Sequence, residues 1–295
     1  MNRFREAIGK AAQGNRNIEL TGTASVEEIL STSYEIAGGV AGYVESKRAL
    51  KERTPSALEL SRYIREQWAP DEKRMLFASD AADAQAREQF RLVRTKLYQL
   101  REQRRIGVIA IASALPGEGK TFVAANLAHA LTLHGEKRVL LVDADLRRGS
   151  LAEVLGARRN PGLSELLRDE EPVEAAIQQG LNGALHLLPS GRRVQEPGEL
   201  ICSSRMEELI HNLRPAFDWI VIDTPPVTQF ADAGDIANLC DGVLMVFNSG
   251  VTPMHLAKRA VEVMSTHTIL GSILNRMENM TEMSKYFDYY EKGGY

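Results

Sequence analysis

The sequence predicts an α/β protein: a doubly wound, mostly parallel sheet with helices on both faces, plus a partly helical N-terminal extension and a flexible C-terminal tail. Three observations predict it. Short apolar runs alternate with helical patterns from residue 106 onward, a glycine-rich loop joins the first run to the first helix, and two later runs lead into aspartates. Strands alternating with helices imply right-handed crossovers and a parallel sheet covered on both faces.

The bulk numbers agree with that class and exclude others. The 295 residues suggest one large domain or two small ones. With 44% hydrophobic and 25% charged residues, the chain can build a core and is not generally disordered. No apolar run is long enough to cross a bilayer, and the start, MNRFREAIGKAAQGN, lacks the apolar centre of a secretion signal, so a cytoplasmic protein is expected. Two isolated cysteines, Cys202 and Cys240, exclude a disulfide framework and a four-cysteine metal site. Lys and Arg number 36 against 39 Asp and Glu, a net charge of −3, which is no footprint for nucleic-acid binding.

Residues 1–85 are polar and patchy. A capping box at Ser25-Val26-Glu27-Glu28 and a helix start at Thr54-Pro55 predict two or three short helices, with breaks at Gly38-Gly39 and Ala69-Pro70. A helix follows over residues 86–105, with Phe90, Val93, Leu97 and Leu100 as its apolar stripe. Strands are expected at Ile106–Ile111, Val139–Val142, Leu185–Leu188, Trp219–Ile222, Val243–Phe247 and Ile269–Leu274. Helices are expected at Phe122–His134 and near residues 164–168, 204–213, 232–239 and 254–266. The division is therefore an extension over 1–85, a nucleotide-binding domain over 86–280 and a polar tail over 281–295.

The first strand runs into Ser113-Ala114-Leu115-Pro116-Gly117-Glu118-Gly119-Lys120-Thr121, and a helix follows. This is the strand–loop–helix setting of a Walker A phosphate loop, so the domain is read as a P-loop NTPase. Glycines let backbone N–H groups turn toward phosphate oxygens, and the helix N-terminus adds its positive dipole end. Lys120 is expected at the β- and γ-phosphates, and the Thr121 hydroxyl on Mg²⁺. The first position of the pattern is Ala114 where glycine is usual.

Two more stations carry carboxylates. Val142-Asp143-Ala144-Asp145-Leu146-Arg147 follows one strand, and Ile222-Asp223-Thr224-Pro225-Pro226 follows another. In open α/β sheets ligands bind outside the carboxyl ends of the strands, where these acids fall. Asp223 sits at the Walker B position, which holds Mg²⁺ through water. Either acid alone could equally be a helix cap or turn former.

Together the three motifs resemble the bacterial tyrosine kinases of capsule and exopolysaccharide loci, of the cytoplasmic type without a transmembrane domain of its own, over residues 86–295. Pro116-Gly117-Glu118-Gly119-Lys120-Thr121 resembles their Walker A, Asp143-Ala144-Asp145-Leu146-Arg147 their Walker A′, and Asp223-Thr224-Pro225-Pro226 their Walker B. Pro161-Gly162-Leu163-Ser164, Leu188-Pro189-Ser190-Gly191 and Pro197-Gly198-Glu199-Leu200 are further points of likeness. Two departures stand out: Phe122 replaces a second hydroxyl residue, and Gly149-Ser150 stands where a proline is common.

The resemblance implies an ATP- and Mg²⁺-dependent protein-tyrosine autokinase that regulates polysaccharide polymerisation and export. Lys120, Asp143, Asp145 and Asp223 would be its catalytic residues, with Thr121, Asp145 and Asp223 on the metal. Residues Pro116 to Phe122 and Asn275, the latter at the adenine, would bind the nucleotide. Asp143 is the first choice to accept the phenol's hydrogen bond, with Asp145 second. Glu88, Arg91 and Arg94 match the family's Glu-x-x-Arg-x-x-Arg oligomerisation motif and imply a ring-like homo-oligomer. Tyr286, Tyr289, Tyr290 and Tyr295 correspond to its phosphoacceptor cluster. A separate membrane adaptor or polysaccharide co-polymerase, which would recruit the chain to the inner face of the plasma membrane, and a cognate tyrosine phosphatase are the implied partners, with no nucleic acid.

Two other readings compete. A partition-type ATPase would carry an extra lysine early in the loop, where this chain has Leu115. A nucleotide-dependent export scaffold without catalysis is harder to square with intact Lys120, Asp143, Asp145 and Asp223. An iron–sulfur carrier ATPase would need a cysteine pair that this chain lacks.

Overall fold

A computed structural model of the protein describes residues 63–77, 84–133, 137–180 and 183–277. Eight strands form one sheet: β1 (Ile64–Arg65), β2 (Val108–Ser113), β3 (Val139–Asp143), β4 (Gln178–Gly180), β5 (Leu185–Leu188), β6 (Trp219–Asp223), β7 (Gly242–Asn248) and β8 (Ile269–Asn275). Their order is β1-β4-β5-β3-β6-β2-β7-β8, and every pair is parallel except β4 with β5. The central strands β2, β3 and β6 are buried at every residue, which is why they read as continuous apolar runs.

Nine helices cover the two faces of the described residues: α1 (Ala84–Gln103), α2 (Lys120–Thr132), α3 (Leu151–Leu155), α4 (Leu163–Leu167), α5 (Val173–Ala176), α6 (Pro197–Ile201), α7 (Ser204–Leu213), α8 (Asp232–Asn238) and α9 (Met254–Val263). Helix α7 buries Met206, Leu209, Ile210 and Leu213, an apolar face at helical spacing. Its core layer also takes Ala233 and Ile236 of α8 and Ala257 and Ala260 of α9. On the opposite face, α2 is buried almost all round because α1 lies over it, with Phe90 and Leu97 facing inward.

Most expected elements form within a residue or two of their expected bounds, and the shifts have causes. The first long strand begins at Val108 rather than Ile106 because the Gly107 and Val108 N–H groups both donate to Asp241 Oδ2 at 2.7 Å. It runs on to Ser113 because Ala112 and Ser113 pair with Met245 and Val246 of β7. Helix α2 starts at Lys120, directly after Gly119, whose left-handed φ of 94° sets the turn from loop to helix.

Residues 63–77, assigned by sequence to the extension, pack onto this domain. The described part of that stretch forms a two-residue edge strand and turns rather than a helix. Trp68 lies across Gly180, where an added Cβ would come within 2.1 Å of its ring, and Met75 is completely buried. Asn126, inside α2, accepts the Leu76 N–H at 2.8 Å and donates to the Arg74 carbonyl at 2.8 Å. The helix signals at Ser25 and Thr54 lie outside the described residues.

Candidate active site

The sheet brings two acidic stations and the phosphate loop together at the carboxyl ends of its strands. Asp143, the last residue of β3, pairs in register with Asp223, the last residue of β6. The loop from β2 crosses beside them and delivers Lys120 and Thr121 at the start of α2. Lys120 Nζ lies 3.4 Å from Asp145 Oδ2 and 3.9 Å from Asp223 Oδ1. Thr121 Oγ1 donates to Asp223 Oδ2 at 2.6 Å. Asp143 Oδ2 accepts the Leu151 N–H at 3.0 Å, and Asp145 Oδ1 accepts the Arg148 N–H at 3.0 Å.

The electrostatics follow from burying like charges together. Burial would lower Lys120, but Asp223 and then Asp145 outweigh it and hold the ammonium above its ordinary range. Burial, reinforced by the Asp223 charge, pushes Asp143 up to about 8. Burial also raises Asp223, against the opposing pull of Lys120 and the Thr121 hydroxyl. One ammonium therefore faces three crowded carboxyl groups.

A divalent cation fits that imbalance. Asp143 Oδ1 is buried without a hydrogen-bond partner among the described residues, and Asp223 Oδ1, likewise without a hydrogen bond among them, has the Lys120 ammonium 3.9 Å away. An orphaned carboxylate oxygen in a dry site is costly unless a cation or donor meets it. Among the described residues no three His, Cys, Asp or Glu side chains form a metal cage by themselves.

The loop itself is held from behind. Pro116 and Gly117 are exposed at its mouth, whereas Glu118 is turned inward. Glu118 Oε2 accepts the Leu115 N–H at 2.7 Å, and its other oxygen accepts from the Thr252 hydroxyl, in the loop after β7. Asn275 Nδ2 donates to the Glu118 carbonyl at 2.9 Å and lies so close over Gly119 that an added Cβ would meet it at 2.0 Å. Ala114 is completely buried, so its methyl is accommodated, and its carbonyl accepts from Thr228. The Phe122 ring packs edge-on against Phe90 of α1, with centroids 5.9 Å apart, which leaves its backbone as the part nearest the loop.

The remaining sequence-derived residues fall elsewhere. Glu88 and Arg91 pair with each other at 3.0 Å along α1, both about half exposed. Arg94 turns back into its own chain and donates to the Ala130 carbonyl near the end of α2 at 3.1 Å. The three are thus not one uniform outward row. Tyr286, Tyr289, Tyr290 and Tyr295 lie outside the described residues. Sequence reasoning missed Thr252 and the pairing of Arg147 with Asp232 at 3.1 Å, where the guanidinium also covers the Phe230 ring at 4.0 Å. These partners stand 134 and 85 positions apart, so no local spacing signals them.

Comparison with known proteins bears on the same region. A family model described as an AAA domain matches residues 106–280. The tyrosine-protein kinase YwqD of Bacillus subtilis (strain 168) is 36% identical over 204 residues, covering 68% of this chain and 84% of that protein. The succinoglycan biosynthesis transport protein ExoP of Rhizobium meliloti (strain 1021) is 37% identical over 215 residues, covering 71% of this chain but 27% of ExoP, so the chain spans about a quarter of that longer relative. The kinase domain of the Escherichia coli tyrosine kinase ETK superposes with a TM-score of 0.64 at 26% identity, over 69% of this chain and 82% of that one. Among the described residues no helix is long and apolar enough to cross a membrane.

Proposed function

The chain belongs to the bacterial P-loop tyrosine kinases, and from that membership we propose that it is an ATP-dependent autokinase that phosphorylates Tyr286, Tyr289, Tyr290 and Tyr295 of a neighbouring copy. The observation that carries the reading is the meeting of Lys120, Thr121, Asp145 and Asp223 within hydrogen-bond or ion-pair distance at the mouth of a phosphate loop.

Each side chain has a task. The Lys120 ammonium, held charged by its carboxylate neighbours, meets the β- and γ-phosphate oxygens. Bound Mg²⁺, held by Thr121, Asp145 and Asp223 directly or through water, would neutralise charge on the transferred group and favour the ionised carboxylates. Asp143 Oδ1, buried and without a partner among the described residues, accepts the phenol's hydrogen bond. The phenol oxygen forms a bond to the γ-phosphorus as the bond to the β-bridging oxygen breaks, ADP leaves, and the phenol proton passes to Asp143. A carboxyl group raised to about 8 is a better match than an ordinary one for a phenol of pKa about 10, though orientation does most of the work. Asn275, already fixed over the loop, offers its remaining groups to the adenine edge.

Transfer between subunits fits the reach of the tail, since fifteen extended residues span at most about 50 Å. Glu88 and Arg91, half exposed on α1, would supply the contact of a ring-like homo-oligomer, with Arg94 behind them on its bond to the Ala130 carbonyl. A membrane adaptor would bring the cytoplasmic chain to the plasma membrane, a phosphatase would reset it, and the output would be control of exopolysaccharide polymerisation and export. The test is incubation of the full chain with ATP and Mg²⁺, alone and with an adaptor's cytoplasmic segment, followed by a phosphotyrosine blot. Wild type should label, while Lys120→Met and a chain with all four tail tyrosines changed to Phe should not. A strong signal from Lys120→Met would remove Lys120 from the mechanism.

A further inference from the structure

Arg148 leaves the turn that holds Asp145, Arg159 bridges that turn to the Gly191 carbonyl, and Arg192 and Arg193 follow on the same loop after β5; we infer that the four form a docking surface for the acidic, tyrosine-bearing segment 278–295 of a second copy of the chain. The inference rests on the kinase reading and names how that substrate is recognised.

The patch is assembled from three loops. The turn after β3 is tied to the catalytic carboxylate: the Arg148 N–H donates to Asp145 Oδ1 at 3.0 Å and the Gly149 N–H to the Asp145 carbonyl at 2.7 Å. Arg159, beyond α3, donates from Nε to the Gly191 carbonyl at 3.0 Å and brings Nη2 to 3.5 Å from the Arg148 carbonyl. Arg192 and Arg193 follow on the loop after β5. Gly149 lies so close to Ser190 that an added Cβ would meet its Oγ at 2.0 Å. That Ser190 hydroxyl is buried without a hydrogen-bond partner among the described residues, a polar group at the floor of the patch awaiting one.

The charge of this surface is unbalanced. Glu165 is the acid that meets it, 3.6 Å from Arg192 Nε, and Glu165 is itself buried and shared with the Gly162 and Arg192 N–H groups. Arg148, Arg159 and Arg193 form no ion pair among the described residues. Arg148 and Arg193 are exposed, and the Arg192 side chain is 70% exposed. Unpaired guanidinium forks beside a reaction site select carboxylates and phosphates in a fixed geometry.

The chain carries a matching occupant. Segment 278–295 holds Glu278, Glu282, Asp288 and Glu291 against Lys285 and Lys292. Asp288 lies between Tyr286 and Tyr289, and Glu291 follows Tyr290. An acid gripped by Arg148 or Arg193 would hold the adjacent phenol near the Asp143–Asp145 turn. Complementary charge of this kind speeds encounter and fixes register. An anionic lipid surface would satisfy the charge but not the position, one turn from a catalytic carboxylate.

Two readouts separate docking from catalysis. In the first, a labelled synthetic peptide of residues 278–295 is titrated with full-length wild type and with full-length Arg148→Gln/Arg193→Gln, and anisotropy reports affinity. In the second, the same two proteins phosphorylate full-length Lys120→Met chain as acceptor. The substitutions should weaken peptide binding and raise the KM for acceptor about tenfold, one or two lost charge-assisted contacts, with kcat and the Kd for Mg·ATP little changed. An acceptor with Asp288→Asn and Glu291→Gln should show a similar loss with wild type and little further loss with the variant. Wild-type affinity should fall between about 50 and about 300 mM salt more steeply than the variant's. Unchanged peptide affinity and KM would overturn the docking surface, and unchanged values alongside lost sedimentation with phosphatidylglycerol vesicles would assign the patch to a membrane instead. Wild type that binds the peptide but labels nothing would contradict the kinase reading and leave the docking standing.

Discussion

The Thr121 hydroxyl donates to Asp223 Oδ2 at 2.6 Å and so joins the phosphate loop to the end of β6 across 102 positions of sequence. The bond holds one Asp223 oxygen in place while the other stays buried without a hydrogen bond among the described residues. Asp223→Asn keeps the size and removes the charge, and Thr121→Val removes the hydroxyl. Each should lower phosphorylation kcat by about 100-fold or more, the usual scale for removing one electrostatic contact to a developing charge. Steady-state kinetics against Mg²⁺ concentration checks this, and the loss should be largest at low Mg²⁺.

Asp143 provides a pH prediction that concerns the free chain, without nucleotide or metal. Burial beside Asp223 pushes its carboxyl up to about 8, from an ordinary 3.8, so between those values the folded state binds the extra proton. Stability from this group is therefore full at low pH and is lost as pH rises toward 8. Asp143→Asn has no proton to lose, and its amide oxygen can still accept the Leu151 N–H. Thermal unfolding between pH 5 and 8.5 should show wild type falling more steeply than Asp143→Asn, which becomes the more stable protein by ~1 kcal/mol or more at the alkaline end. The same variant should lose most kinase activity. Parallel stability curves would place the buried proton elsewhere.

Much of this arrangement was legible in the sequence, and the exceptions are instructive. Strands β3, β5 and β6 are apolar runs between turn signals, so their bounds and the aspartates at their ends could be read directly. Strands β1 and β4, two and three residues long and largely polar, carry no periodicity to read. Helices α3, α5 and α6 have five, four and five residues, too few for an amphipathic pattern to emerge. At the site, residue types announced Lys120, Thr121, Asp143, Asp145 and Asp223. The inward turn of Glu118 toward Thr252 and the bond from Arg94 to Ala130 are tertiary choices that nothing nearby in the chain encodes.

The docked segment 63–77 is the clearest such choice, and Asn126 tests it. This fully buried amide accepts from the Leu76 N–H and donates to the Arg74 and Phe122 carbonyls. Asn126→Ala leaves those backbone groups unmatched in a dry environment, a cost of roughly 2–4 kcal/mol. Thermal unfolding should shift down by about 5–10 °C for a chain of this size. Proteolysis or hydrogen exchange should show residues 63–77 opening before the sheet. A variant as stable as wild type would mean the segment is held by Trp68 and Met75 alone.

The central claim, one phosphoryl-transfer site acting on the tail of another copy, is tested most directly by mixing two inactive-looking halves. One is the Lys120→Met chain with its tail intact; the other keeps Lys120 but has Tyr286, Tyr289, Tyr290 and Tyr295 changed to Phe. Incubated apart with ATP and Mg²⁺, neither should carry phosphotyrosine. Incubated together, the Lys120→Met chain should be labelled on its tail, at a rate that rises with the concentration of its partner. A mixture that stays unlabelled while wild type labels itself, or label found on the chain without tail tyrosines, would contradict the account.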